Sequence, residues 1–217
     1  MRQPSIIILL ISLLFLIHPS CSYGAVHGGI EYNIPTDYSK LSETELNSKA
    51  RVCYFNAMKS QKGAVNEDMT NALTLYSILQ NINPENIDYA VKTGALYDKL
   101  GMDRYAKGNF SRAIGIDSSK PEPYFYFGEF YYKRQMYRKA MKYYNEAYKR
   151  GMVSNYDLLY KMGDIYEKFG DTRSALKYLR EASKQSPNSE LDNKIKRVEL
   201  SDSVNKEYYS DTRLRGQ

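Results

Sequence analysis

Three segments of the chain repeat one pattern at a fixed interval: "TGALYDKLG" from residue 93, "FGEFYYKRQ" from 127 and "MGDIYEKFG" from 162. Their glycines, Gly94, Gly128 and Gly163, are 34 and 35 residues apart. Three residues after each glycine stands a tyrosine: Tyr97, Tyr131 and Tyr166. Twelve after it stands an alanine: Ala106, Ala140 and Ala175. A large apolar residue follows four positions later (Phe110, Tyr144, Leu179), and another alanine three beyond that: Ala113, Ala147 and Ala182. Small residues held in frame over such a period mark a stack of like units, each burying its apolar face against the next. The frame extends backwards: Ala72, Tyr76 and Leu79 lie 34 residues before Ala106, Phe110 and Ala113, and Pro84 takes the place of Pro187. There the first helix is out of register, because "QKGAVNEDM" lengthens the connection.

Helical spacing explains the residue types. Tyr124, Phe127, Gly128 and Tyr131 fall at i, i+3, i+4 and i+7, on one face of a helix. Ala140, Tyr144 and Ala147 form the facing stripe. Small residues admit close approach while the rings fill the space between. The spacing predicts helix pairs at 87–100 with 103–117, 121–134 with 137–150, and 155–169 with 172–185. Upstream, "LSETEL" is a capping box of Ser42 with Glu45, stapled by Leu41 and Leu46. It opens a helix bearing Leu46, Ala50, Cys53, Tyr54 and Ala57, which is expected to pair with 68–82. Downstream, "NSELDNKIKRVEL" restarts a helix with Leu191, Ile195 and Val198 on one side and polar residues elsewhere, as a terminal cap needs. Residues 26–40 and 209–217 read as loose ends.

The repeated segments resemble tetratricopeptide repeats. "YFYFGEFYYKRQMYRKAMKYYNEA" follows that family's order of aromatic, Gly, Tyr, Ala, aromatic and Ala, and the last copy ends on the expected Pro187. Thr93, Ala90 and Ser118 depart from the pattern in the first copy. The resemblance covers roughly residues 66–187. It implies an all-α, right-handed solenoid of stacked antiparallel helix pairs. The expected layout is a degenerate first pair at 41–86, repeats at 87–120, 121–155 and 156–189, a capping helix at 190–208 and a disordered tail at 209–217.

The N-terminus is a separate object. Arg2 precedes Ile6 to Ile17, a run of twelve residues broken only by Ser12, and then come Pro19 and the small residues of "SCSYGA". Twelve residues make about 18 Å of helix, short of a ~30 Å hydrocarbon core. Residues 1–25 therefore read as a secretory signal cleaved between Ser22 and Ala25, and the chain as exported to a periplasm, cell envelope or exterior. A lipidated Cys21 is the rival reading, although "HPSC" lacks the apolar residue usual three positions before such a cysteine. If Cys21 is lost, Cys53 has no internal disulfide partner.

The composition offers no catalytic constellation. The two histidines, His18 and His27, lie outside the repeats, and no Gly-rich phosphate loop or His/Cys metal spacing occurs. Cys53 reads as a core thiol rather than a nucleophile with His27. No catalytic residue, metal or cofactor is expected, and the chain reads as a scaffold rather than an enzyme. What remains is surface. On each first helix, opposite the core, runs a second stripe: Asp88, Val91, Ala95 and Asp98; Glu122, Phe125, Glu129 and Tyr132; Asp157, Tyr160, Asp164 and Glu167. By resemblance this stripe lines a concave groove for extended peptides or partner helices. It is acidic and aromatic, so a protein partner with a basic or extended segment is expected. Arg138, Lys139, Lys142, Lys149 and Arg150 fall on the outer helix. With the formal charge of +6, they leave an anionic membrane or cell-wall surface as the alternative partner. Nucleic acid is disfavoured because the tyrosines are mostly core. The sequence is silent on oligomeric state.

Overall fold

The computed structural model describes residues 25–27, 30–32 and 38–215. The expected signal segment, with His18, Cys21 and the cleavage site before Ala25, lies outside them. Among the described residues the fold is an all-α helical repeat preceded by one short hairpin. Strand β1 (Ala25–His27) pairs antiparallel with β2 (Ile30–Tyr32), and a 3-10 turn spans Tyr38–Lys40. The segment 26–40, expected to be loose, thus carries backbone pairing in its described residues.

Nine α-helices follow among the described residues. They are α1 (Glu43–Lys59), α2 (Glu67–Ile82), α3 (Ile87–Leu100), α4 (Asp103–Ile116), α5 (Glu122–Tyr132), α6 (Tyr137–Lys149), α7 (Tyr156–Lys168), α8 (Thr172–Gln185) and α9 (Ser189–Arg215). Their ends are chemically set. The Ser42 capping box forms as expected: the Ser42 side chain accepts from the Glu45 amide, and Glu45 accepts from the Ser42 amide at 2.8 Å. Asn66, Asn155, Asp171 and Asn188 accept from the Met69, Leu158, Ser174 and Leu191 amides at 2.8–3.0 Å, each satisfying an otherwise unpaired first-turn donor. Helix α9 runs to Arg215, well past the expected end at 208 and through most of the expected tail. Its 3.6-residue apolar pattern ends at Val198, so nothing in the periodicity carried the helix further.

The chain divides into two compact units. The first comprises residues up to 84 together with 99–102. Its core is the α1–α2 pair, with Leu46, Ala50, Ala57, Met69, Ala72, Leu73, Tyr76 and Leu79 all buried. Lys99 closes it: its ammonium donates to the Met58 carbonyl at 2.9 Å, and its own carbonyl accepts from Gly63 at 2.8 Å. Cys53 is half-buried here, and burial followed by the Asp68 charge pushes its thiol above the ordinary value. The second unit, 85–98 with 103–217, holds the three predicted helix pairs and α9. The six alanines of the pattern, Ala106, Ala113, Ala140, Ala147, Ala175 and Ala182, are fully buried.

The glycines lie at the helix crossings. A Cβ added to Gly128 would sit 2.5 Å from two ring carbons of Tyr144. At Gly94 it would meet the Phe110 ring at 2.8 Å, and at Gly163 the Leu179 branch at 2.7 Å. Each glycine therefore opposes the large residue that follows it by sixteen positions. Around the second crossing Phe127 stacks on Tyr131 and meets Tyr143 at 4.3 Å between ring centroids, and Tyr131 stacks on Tyr143 at 5.5 Å. Tyr166 repeats the last contact with Tyr178 at 5.5 Å. The tyrosines that mark the repeat thus hold each pair together through rings; Tyr97 is buried, and Tyr131 and Tyr166 are half-buried. Seven residues after each glycine the chain turns with a positive φ. Gly101 and Gly170 supply it in the first and third pairs, but Gln135 (φ 57°) supplies it in the second. A side chain there costs about 1–2 kcal/mol relative to a relaxed backbone.

These contacts separate two alanine substitutions. Gly128→Ala overpacks a crossing, at a cost of about 1–3 kcal/mol that outweighs the gain in helix propensity, so its thermal midpoint should fall by several degrees. Gly108→Ala, on the exposed face of α4 where an added Cβ meets nothing within 4 Å, should gain up to roughly 1 kcal/mol and melt higher. Circular-dichroism melts of both variants check the pair.

Candidate partner-binding face

The stripe on α3, α5 and α7 forms in register, but most of its carboxylates are already engaged. Asp98 is buried, bonded to Lys133 Nζ at 2.9 Å and Arg134 Nη1 at 2.7 Å. Arg134 also reaches Asp103 and lies over the Phe130 ring at 3.7 Å. Asp164 is buried too. It accepts from Tyr132 Oη at 2.6 Å and Lys194 Nζ at 2.5 Å, with Lys168 at 3.5 Å. Glu167 meets Lys194 at 3.0 Å and Arg197 at 3.1 Å. Glu129 accepts from Tyr144 Oη at 2.5 Å and faces Lys161 at 3.8 Å. Val91 and Ala95 are buried.

The expectation of an open acidic groove is corrected in these places. Val91, Asp98 and Asp164 offer no surface, and Glu129, Tyr132 and Glu167 are bonded internally. Apart from Lys168, which reaches Asp164 within α7, the cations that neutralise these acids come from the next helix pair or from α9, some 27–36 residues downstream. They act as staples between successive units rather than as ligand sites. Tyr132, the tyrosine that looks best placed on sequence to touch a partner, instead donates to Asp164 beneath Lys161, whose ammonium lies 4.6 Å from its ring centroid. Burial, then the Asp164 bond, raise its phenol far above the usual range. Arg150 is likewise engaged: it pairs with Glu146, donates to the Ser118 carbonyl at 2.6 Å and covers the Tyr124 ring at 4.1 Å.

The staples follow a rule of position. Two residues before the third glycine stands Lys161, and it reaches back to Glu129, one residue after the glycine of the preceding pair. Lys194 of α9 makes the corresponding reach to Asp164 and passes over the Tyr160 ring at 5.1 Å. At the junction between the first and second pairs both partners differ: the lysine position holds Tyr126 and the carboxylate position holds Ala95. Tyr126 is left 38% exposed, with the Phe125 ring edge-on at 5.4 Å. Burial raises its phenol, and the negative charges of Asp88, Glu129, Glu122 and Asp157 raise it further. Asp88 is bonded to Lys92, whereas among the described residues Glu122 and Asp157 are exposed and in no ion pair. Tyr160 is half-buried and stacked on Tyr156 at 6.0 Å. Tyr126 has no mark in the helical periodicity. The signal that finds it is the break in the lysine series Lys92, Tyr126, Lys161.

Among the described residues no group of three or more His, Cys, Asp or Glu is arranged to hold a metal ion, and none of the helices is long and apolar enough to cross a membrane. His27 lies in β1, and its side chain lies outside the described residues.

Asp164 gives the staples a measurable signature. Burial alone would raise its carboxyl, but the Lys194 and Tyr132 bonds outweigh burial and hold it below the ordinary value. A carboxyl held low stabilises the fold above its unfolded-state value, near 3.9, and loses that contribution as the pH falls through the lower folded-state value. Asp164→Asn should therefore cost about 1–3 kcal/mol at pH 7. The gap to wild type should close below about pH 4, which urea titrations at successive pH values would follow.

Comparison with known proteins matches residues 157–189 to the tetratricopeptide-repeat family profile. A search of curated proteins by sequence gives no match. Among solved structures the chain is similar to a crystal structure of MamA at 18% identity and a TM-score of 0.54, over 66% of this chain and 84% of that one. A second MamA structure gives 16% identity and 0.54, over 76% and 88%. YrrB, described as a tetratricopeptide-repeat protein with an unusual peptide-binding site, gives 20% identity and 0.52, over 74% and 76%. At these identities the likeness is one of fold.

Proposed function

We propose that the chain is a non-catalytic interaction scaffold whose inner face binds a basic, extended segment of a protein partner. The observation that carries this reading is the interrupted staple at Tyr126. At the other two junctions a lysine of the chain itself fills the space between repeats, lies over a ring and satisfies a carboxylate. At this junction the ring is 38% exposed, two of the four carboxylates whose charge it feels, Glu122 and Asp157, are in no ion pair among the described residues, and the cation is missing. A partner's lysine or arginine would restore the pattern, with Tyr126 and Phe125 as the aromatic anchor and Glu122 and Asp157 selecting positive charge. That a protein of similar fold is described by its peptide-binding site agrees with this reading. The ligand set narrows accordingly from the whole stripe to its surface around Asp88, Glu122, Phe125, Tyr126 and Asp157.

Export is the second part of the proposal. It rests on the apolar run Ile6–Ile17 with its small-residue boundary. The intact mass of the protein recovered from its native compartment tests it: a start between residues 22 and 25 is expected, and a start at Met1 would remove the proposal.

A peptide array of graded lysine and arginine content, probed with the purified protein, tests the groove. Basic peptides should be retained and acidic ones not. For the best binder, Tyr126→Ala should weaken affinity by about tenfold, and Glu122→Gln with Asp157→Asn should flatten the salt dependence. Tyr132→Ala should lower the melting point instead. Equal capture of acidic and basic peptides would overturn the assignment.

A further inference from the structure

The second helices of the three pairs carry charge of one sign. Helices α4, α6 and α8 hold three, four and four basic residues respectively, against one acid each. The acids are partly spoken for: Asp103 is bonded to Arg134, and Glu146 to Lys149 and Arg150. Within this surplus one position recurs. Two residues before the first alanine of each second helix stands an arginine: Arg104, Arg138 and Arg173. Two residues is about 200° around a helix, so the arginines point away from the alanine face that packs inward. All three are exposed, and none is in an ion pair among the described residues.

Stability gives no reason for this row. Each arginine is the second residue of its helix, in the first turn, where the helix dipole disfavours positive charge. Helices α6 and α8 have no acid in that turn, and the first-turn Asp103 of α4 is turned to Arg134. Arg173 feels the charge of the N-cap Asp171, but a first-turn cation repeated in every pair with no ion-pair partner among the described residues fits an external anion better than it fits the fold.

We propose that Arg104, Arg138 and Arg173, flanked by Lys107, Lys142 and Lys177, form an edge that docks on an anionic lipid bilayer. One arginine per stacked unit makes a row suited to an extended array of negative headgroups. Electrostatic docking of this kind needs only clustered cations near the surface and weakens with salt. Single-stranded nucleic acid would need exposed rings among the cations. On this side Tyr143 and Tyr178 are stacked against Tyr131 and Tyr166, and Tyr105, though exposed, lies against Tyr97, so the row offers one exposed ring beside its cations rather than one per repeat. The edge is independent of the inner face, so the protein would hold a basic partner segment on one side while resting on a membrane with the other.

Vesicle co-sedimentation of the full chain tests this with three proteins. One is wild type and one is Arg104→Gln/Arg138→Gln/Arg173→Gln. The third is Lys49→Gln/Lys62→Gln/Lys120→Gln, which removes the same charge from exposed positions off the row. The readout is retention on phosphatidylcholine vesicles containing about a third phosphatidylglycerol, relative to pure phosphatidylcholine. This ratio cancels any contribution from the apolar N-terminal run. Wild type should be retained at about 50 mM salt and released at about 500 mM. The arginine variant should lose about tenfold, and the lysine variant less than about threefold. The arginine variant should also melt no lower than wild type, since its charges leave helix N-termini. Equal losses in both variants, no anionic preference in wild type, or a large drop in melting point would each overturn the proposal. Tighter binding to a thymidine oligonucleotide than to vesicles would overturn it in favour of nucleic acid.

Discussion

The contact on which the rest depends is a bare backbone against a large side chain, made three times. Gly94 faces Phe110, Gly128 faces Tyr144 and Gly163 faces Leu179, each too close for even one added carbon. That approach sets the distance between the helices of a pair. The distance brings the flanking rings into stacking range, as with Phe127, Tyr131 and Tyr143. Rings rather than aliphatic chains fill the gap, and a phenol brings an oxygen with it. Tyr144 therefore needs an acceptor at the far end of its ring, and Glu129 supplies it. The close crossing thus decides the use of a residue that sequence position alone would assign to a ligand.

Much of the architecture was legible because it repeats. A 34-residue frame of glycine, tyrosine and alanine locates the three helix pairs to within a few residues at each end, and the Ser42–Glu45 box marks the start of α1. Legibility fails where local chemistry departs from the frame. The hairpin at 25–32 depends on strand pairing, which leaves no helical period to read. The length of α9 beyond Val198 has no apolar stripe behind it. Gln135 adopts the positive φ that its counterparts leave to glycine, and no residue-type signal announces that.

The inner face was half legible for a different reason. Helical period fixes which side of a helix a residue occupies, and on that ground alone it groups the acids into one stripe. It says nothing of which long side chain arrives from a neighbouring unit. Lys161, Lys194 and Arg134 each span the junction to a carboxylate some 30–36 residues upstream. A stripe that is acidic in sequence is therefore largely neutral in space. Buried pairs such as Lys194 with Asp164 are as much a device for fixing how one unit meets the next as a source of net stability, since desolvation offsets much of their attraction.

Once the staples are understood, the functional surface is what they leave over. A repeat protein solves its packing with one rule applied at every junction, so a position that breaks the rule stands out against its own copies. Tyr126 breaks the rule inward, where a lysine is absent and carboxylates remain. The arginine row fits the reverse case: the repeat keeps a cation at a place where the helix would be more stable without it. Packing explains neither feature, and the two lie on helices of opposite role in each pair. Internal comparison between repeats thus does for a single chain what comparison among relatives does for a family: it separates the residues the fold requires from those it only tolerates.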